Sequence, residues 1–374
     1  MFRHLSKGSA ISVPSQLASP ARLIAEIPGV LGFHPNNSVI FLLLRREEGS
    51  TYSLGPVLRM DAGDTDSLPD IANCINSFGP DVVFAVVSSE SPNCGFVSDI
   101  TQAGIEHLDI IWHVRGVSED EPYSALWTAD PAHTYSTSML AGLVSPIHSA
   151  LSTRDLLAKG DLIACDRDEV LDTLAFDSRR TEAGEALLAR ATALLDDVGA
   201  ISDLILPLRD DLADHRNHDA EARLVAALLA SADARDLALG ELLGCPEQGE
   251  ELLVDLTQQL SLAHLRAGAL AMLACLLLNG GHRARAGLAI KAASEACADH
   301  RLTQLLTQAQ MVGALEVLVP ALNEGISIAR TRLACRSLWP DLLSPDLSIN
   351  PRKGYCLAWI RALKWGLGAT YATR

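Results

Sequence analysis

The spacing of apolar residues changes once along this chain, and the change divides it. In the first part, apolar runs of strand length alternate with helical stretches. Val39-Ile-Phe-Leu-Leu-Leu-Arg45, bounded by Asn36-Asn37 and Glu47-Glu48-Gly49, predicts a buried strand. Leu54 to Asp61 predicts the second arm of a hairpin, and Gly55-Pro56 assigns it to an edge or a bulge. Asp66 to Phe78 puts Leu68, Ile71, Ala72 and Ile75 on one helical face and stops at Gly79-Pro80. Asp81 to Val87 reads as a second buried strand, Val97 to Ala103 as a short helix ending at Gly104, and His107 to Val114 as a third strand. The order β-β-α-β-α-β predicts an α/β N-terminal domain with a mixed sheet.

From residue 166 the period becomes three and four. Leu187, Leu188, Ala191, Leu194 and Leu195 recur at that spacing, as do Leu224, Ala227 and Leu228, and Leu270, Leu273, Ala274 and Leu277. Breaks are expected at Gly199, Pro207, Asn217, Gly244-Cys245-Pro246 and Gly280-Gly281. This predicts an all-α helical array with short connections. Ala263 to Arg301 resembles one tetratricopeptide-type hairpin, with small residues at Ala274, Ala286 and Ala293 for close helix approach. A peptide-binding superhelix normally needs three such units, and one is clear here.

Charge sharpens the division into 1–165, 166–325 and 326–374. The three segments carry nets of −9, −13 and +6, which make up the −16 of the 374-residue chain. An acidic body argues against nucleic acid as a partner, because phosphate binding needs clustered cations. The basic tail holds three of the five tryptophans. Tyr355, Trp359, Arg361, Lys364 and Trp365 fall in one short helical pattern, a candidate partner-binding surface. Docking on its own acidic helices or on a protein partner is favoured over a membrane surface. The eight cysteines include no Cys-x-x-Cys pair, and no apolar leader follows the N-terminus. A cytoplasmic protein with free thiols is expected.

Leu23 to Ile40 carries a denser signal. Pro28, Leu31, Gly32, Phe33, Pro35, Ser38 and Val39 fit a helix ending in P-x-L-L-G-F-x-P-x-x-S-L-V. On these residues the chain resembles a bacterial family catalogued as domain of unknown function 4192. Tyr123 to Pro131 extends the resemblance through Asp130-Pro131, although Ala132-His133-Thr134 stands where family members often have cysteines. The resemblance runs over most of residues 20–325 and implies no activity. In physical terms Gly32 supplies positive φ after a helix, Phe33 packs back on it, Pro35 blocks further helix and Ser38 bonds the turn backbone. A ligand loop at Gly32, Phe33, Pro35 and Ser38 is the functional alternative.

Three other sets could carry chemistry. Asp130, His133 and His148 form the most enzyme-like polar set, with Ser136 or Ser138 as a nucleophile, but no G-x-S-x-G elbow supports them. Asp211, His215 and His218 lie at i, i+4 and i+7, so one helical face could present them to a metal; a solvated acidic helix end is the simpler reading. Phosphate-loop and dinucleotide motifs are absent, and no cofactor is expected. The sequence favours a non-catalytic interaction or regulatory module with a protein partner. A hydrolase-like enzyme using Asp130, His133 and His148 is the alternative.

Overall fold

The computed structural model describes residues 19–47, 52–92, 94–130, 135–198, 200–214, 217–311 and 314–338. The chain forms two compact units, Met1–Glu169 and Val170–Arg374.

The first unit opens with helix α1, Pro20–Leu31. The Ser19 Oγ caps it by accepting from the Arg22 N–H, and Gly32 ends it at φ 77° with its own N–H on the Pro28 carbonyl at 2.8 Å. Strands β1 (Ser38–Arg46) and β2 (Tyr52–Asp61), helix α2 (Leu68–Phe78), strand β3 (Val82–Ser88), helix α3 (Cys94–Gln102) and strand β4 (Leu108–Val114) follow. The sheet runs β2-β1-β3-β4-β5-β6, with β3 and β4 parallel and the other neighbours antiparallel. It is the mixed sheet that the pattern predicts.

β1 is apolar from Val39 to Leu44 because both its faces are covered there. Ile40, Leu42 and Leu44 share one core with Leu23, Ile24 and Ile27 of α1. Val39, Phe41 and Leu43 share the other with α2 and α3 through Leu68, Ile75, Phe96 and Ile100. β2 is an edge strand, and its register with β1 shifts between Leu42 and Leu44, opposite Gly55-Pro56.

Two strands exceed the expected set. β5 (Pro122–Thr128) and β6 (Ala141–Leu143) extend the sheet beyond β4, with α4 (Thr137–Leu140) between them. Two buried rings hold this extension: Trp112 Nε1 donates to the Met139 carbonyl at 2.7 Å, and the Tyr123 hydroxyl donates to the Ser138 carbonyl at 2.6 Å. Helix α5 (Leu151–Ala158) then packs on α1. The approach is close at Gly29, where a Cβ would collide with the Thr153 backbone N. The buried Glu26 accepts the Leu151 and Ser152 N–H groups at 3.0 and 2.8 Å, so a carboxylate sits at the positive end of α5.

The second unit is helical. Helix α6 (Arg167–Thr173) leads into it, followed by α7 (Thr181–Asp197), α8 (Ile201–Ala213), α9 (Asn217–Ala230), α10 (Ala232–Leu242) and α11 (Pro246–Gln259). α12 (Ala263–Gly280), α13 (Arg283–Ala296), α14 (Arg301–Met311) and α15 (Leu315–Leu338) follow. From Ala267 to Leu278, α12 is apolar on every side and buried, which makes it the central helix. It forms an antiparallel hairpin with α13 across Gly281, at φ 80°.

One expected break is corrected. Pro207 lies inside α8, where the helix continues through it. α15 runs without interruption across the 325/326 charge boundary, because helix continuity follows backbone bonding and not the sign of side chains.

Candidate functional site

The family-like loop sits at the end of the sheet where β3 and β4 finish. Pairing places Asp61, Ser38, Ser88, Val114 and Tyr123 in one row across the sheet. In α/β sheets ligands gather outside the carboxyl ends of parallel strands, so this end is the first place to look. The polar groups here are used in holding the fold. Ser38 Oγ donates to the Asn36 carbonyl at 2.6 Å and accepts Arg59 Nε and Nη2 at 2.9 and 2.6 Å. Arg59 also pairs with Asp61 at 2.5 Å, and Arg167 reaches the same carboxylate at 3.6 Å. Ser88 Oγ donates to the Pro35 carbonyl at 2.8 Å. His34 Nδ1 lies 2.9 Å from the Val117 carbonyl, and His113 Nε2 lies 2.9 Å from that of Ser89.

Phe33 is buried and forms a parallel bridge with Ala164, while the Ala164 N–H donates to the Gly32 carbonyl at 2.9 Å. The motif therefore fastens the end of α1 to the sheet and to the segment before α6. Burial lowers the pKa of the Arg59 guanidinium, and the nearby Asp61 carboxylate opposes that shift.

The enzyme-like set is less concentrated. His133 lies outside the described residues. Asp130 is exposed at the end of β5. His148, in the short turn Ile147–Ser149, is 78% exposed and faces Glu119 at 4.0 Å. Ser136 and Ser138 pair with each other, Oγ to Oγ, at 3.1 Å.

The placement of Asp211 and His218 on one helical face is corrected. Asp211 belongs to α8 and His218 to α9, so no single helix carries both; His215 lies outside the described residues. Asp211 is buried against Arg223 Nε at 2.7 Å, and His218 is exposed beside Glu221 at 3.4 Å. Among the described residues no group of three metal-ligating side chains comes together. Tyr355, Trp359, Arg361, Lys364 and Trp365 all lie outside the described residues.

A cluster that no motif announces lies in the helical unit. Residues 173–180 form a strap stitched to α11. Gln258 Nε2 donates to the Thr173 carbonyl, and the Asp177 N–H donates to the Gln258 carbonyl, both at 2.9 Å. Beneath the strap, Arg180 Nη1 donates to Asp255 Oδ1 at 2.6 Å. Gln259 Nε2 reaches both Asp255 Oδ2, at 2.5 Å, and Glu221 Oε1, at 3.3 Å.

Burial pushes the Glu221 carboxyl above its ordinary range, and the facing Asp255 carboxylate pushes it further. Burial also pushes Asp255 up, but Arg180, Glu221 and Gln259 outweigh it and hold Asp255 below the usual range. The two carboxyls are thus pushed apart, Glu221 upward and Asp255 downward. Sequence spacing shows only that Asp255 and Gln259 are one helical turn apart. Glu221 comes from another helix, so nothing local could have marked it.

A family model described as "Domain of unknown function (DUF4192)" matches residues 20–314. The chain belongs to that family. The match spans the motif loop, the whole sheet and the helical unit through α14. No curated protein and no solved structure matches the chain.

Proposed function

We propose that this family member is a cytoplasmic, non-catalytic binding module that docks a protein partner through its α/β unit. One observation carries the reading. Of the ten exposed large apolar side chains among the described residues, five fall between 140 and 162: Leu140, Leu143, Leu151, Leu157 and Leu162. Leu143 is 57% exposed and Leu162 80%. Exposed apolar residues scattered singly need no explanation, but a concentration marks an interaction surface. Leu143 belongs to β6, the last strand of the sheet order among the described residues, which places a strand edge beside it. The free thiols of Cys94 and Cys165, both exposed, support a reducing compartment.

The test is reciprocal capture. A partner that copurifies in constant ratio with the wild-type chain, and captures it in return, should lose about tenfold or more in affinity for the Leu143→Asp, Leu162→Asp double variant. Circular dichroism must show that variant folded. Unchanged retention by a folded variant would sink the assignment of the surface.

A further inference from the structure

Arg266 stands in the first turn of α12, beside a cleft of about 220 Å³ in the helical unit. Its Nε donates to the Thr257 carbonyl at 3.1 Å and its Nη2 to the Leu174 carbonyl at 2.9 Å. Two backbone carbonyls therefore fix the guanidinium plane without neutralising it. Among the described residues no carboxylate lies within ion-pair distance of Arg266, and Glu295 acts on it only from further off. A half-buried guanidinium in this state is a ready partner for a carboxylate, which it can hold through two parallel bonds.

The cleft also carries negative charge. Asp172 and Glu295 line it, the first without a described side-chain partner and the second loosely shared with Lys291 at 3.8 Å. A plain anion would be drawn by Arg266 and repelled by these two. A ligand with an ammonium and a carboxylate on one carbon satisfies all three. Leu171, Ala292 and Ala296 supply apolar wall for a side chain. Ligand pockets for drug-sized molecules run to roughly 300–1,000 Å³, so this smaller cleft suits a small metabolite.

We propose that the Arg266 cleft binds a free α-amino acid, with the carboxylate on Arg266, the ammonium between Asp172 and Glu295, and the side chain against Leu171, Ala292 and Ala296. The same arginine holds the Leu174 carbonyl of the strap, so occupancy reinforces the strap's attachment. The proposal is independent of the protein-docking reading, which concerns the other unit.

Isothermal titration of the full chain with L-alanine and L-leucine tests it, with propanoate and ethylamine as single-charge controls. An amino acid should bind at least tenfold more tightly than either control. Glu295→Gln should weaken the amino acid and strengthen propanoate, reversing part of that preference. Arg266→Gln should abolish binding but also loosens the strap. Ala296→Leu therefore serves as the second variant: it fills the cleft, leaves the arginine's clamps intact, and should abolish binding in a folded protein. Propanoate binding as tightly as alanine would overturn the proposal. So would undiminished binding by Ala296→Leu, or no heat from either amino acid at concentrations up to about 20 mM.

Discussion

The two units bury polar side chains in different ways. In the α/β unit these side chains mostly end on backbone: Glu26 on the N–H groups of α5, Ser88 on the Pro35 carbonyl, Trp112 on that of Met139 and Tyr123 on that of Ser138. In the helical unit buried charged side chains mostly end on other side chains, as in Asp211 with Arg223, Arg235 with Asp236, and Glu221 with Asp255 through Gln259, with Arg266 on two backbone carbonyls as the exception. A backbone partner is present whenever the chain path is correct. A side-chain partner adds dependence on protonation and on a second residue type. The first arrangement fastens a fold, and the second makes a unit that responds to pH and substitution.

The comparison can be broken at its steric limits first. Gly29→Val in the α/β unit would drive a side chain into the Thr153 backbone, and Gly184→Val in the helical unit would drive one into the Gln259 carbonyl. Each should cost about 3 kcal/mol or more, since neither neighbour is a flexible side-chain end. Hydrogen exchange read by mass spectrometry should show lost protection in the altered unit. Unchanged protection would mean the helix pairs are less tightly apposed than described.

Charge deletions come next. Asp211→Asn leaves the Arg223 guanidinium without its carboxylate and should cost about 3 kcal/mol, the effect of breaking a buried pair. Glu26→Gln keeps shape but turns a charged double acceptor into a group with one acceptor and one donor facing N–H. A loss of about 2 kcal/mol is expected, seen in urea unfolding. If Glu26→Gln proved the costlier of the two, backbone fastening would outrank charge pairing, contrary to the contrast drawn above.

A pH series sharpens the contrast. The folded pKa of Glu221 is raised, so its contribution is full below the unfolded value near 4.5 and is lost as pH rises through the folded value. His300 acts in the opposite sense. Burial is the main cause, with His264 and Arg235 adding to it, and the folded value falls to about 4 from 6.5. Its contribution is therefore present above pH 6.5 and is lost as pH falls from there toward about 4. Glu221→Gln should flatten the alkaline-side loss of the helical unit, and His300→Asn the acid-side loss, in urea midpoints measured between pH 4 and 8. A Glu221→Gln profile identical to wild type would remove the raised Glu221 pKa from the account.

The smallest effects belong to exposed histidines. His148→Ala and His218→Ala should each stay within about 0.5 kcal/mol of wild type. A larger loss at His148 would reopen the enzyme-like set around Asp130.

How far the fold could be read from the chain depended on how local each signal was. β1, β3 and β4 were legible because both their faces are buried, which leaves continuous apolar runs. α2 was legible from one apolar face and a glycine stop. β5 and β6 were not, since β5 is largely half-buried, β6 has three residues, and both depend on rings from β4 and β5 bonding distant carbonyls. The loop Gly32 to Ser38 was legible as a turn, because its glycine, prolines and serine act on neighbouring backbone. Its anchoring to Ala164 was not. The Asp211 and His218 pairing failed because the helix was assumed to continue past Ala213, and the strap cluster escaped notice because its members come from three separate segments.

By itself the sequence determined the order of most elements, the change from a mixed sheet to a helical array, the glycine stop at Gly32 and the family. Each rests on periodicity or on residues acting within a few positions, where local backbone energetics decide. Only the tertiary structure decided that the motif loop is tied to Ala164, that Glu26 caps α5, that Glu221 and Asp255 meet around Gln259, and that Arg266 is held by two carbonyls with no carboxylate within ion-pair distance among the described residues. Those depend on which side chains meet across long sequence separations. Burial then shifts the pKa of Glu221 upward and that of Arg266 downward, an effect no stretch of sequence contains.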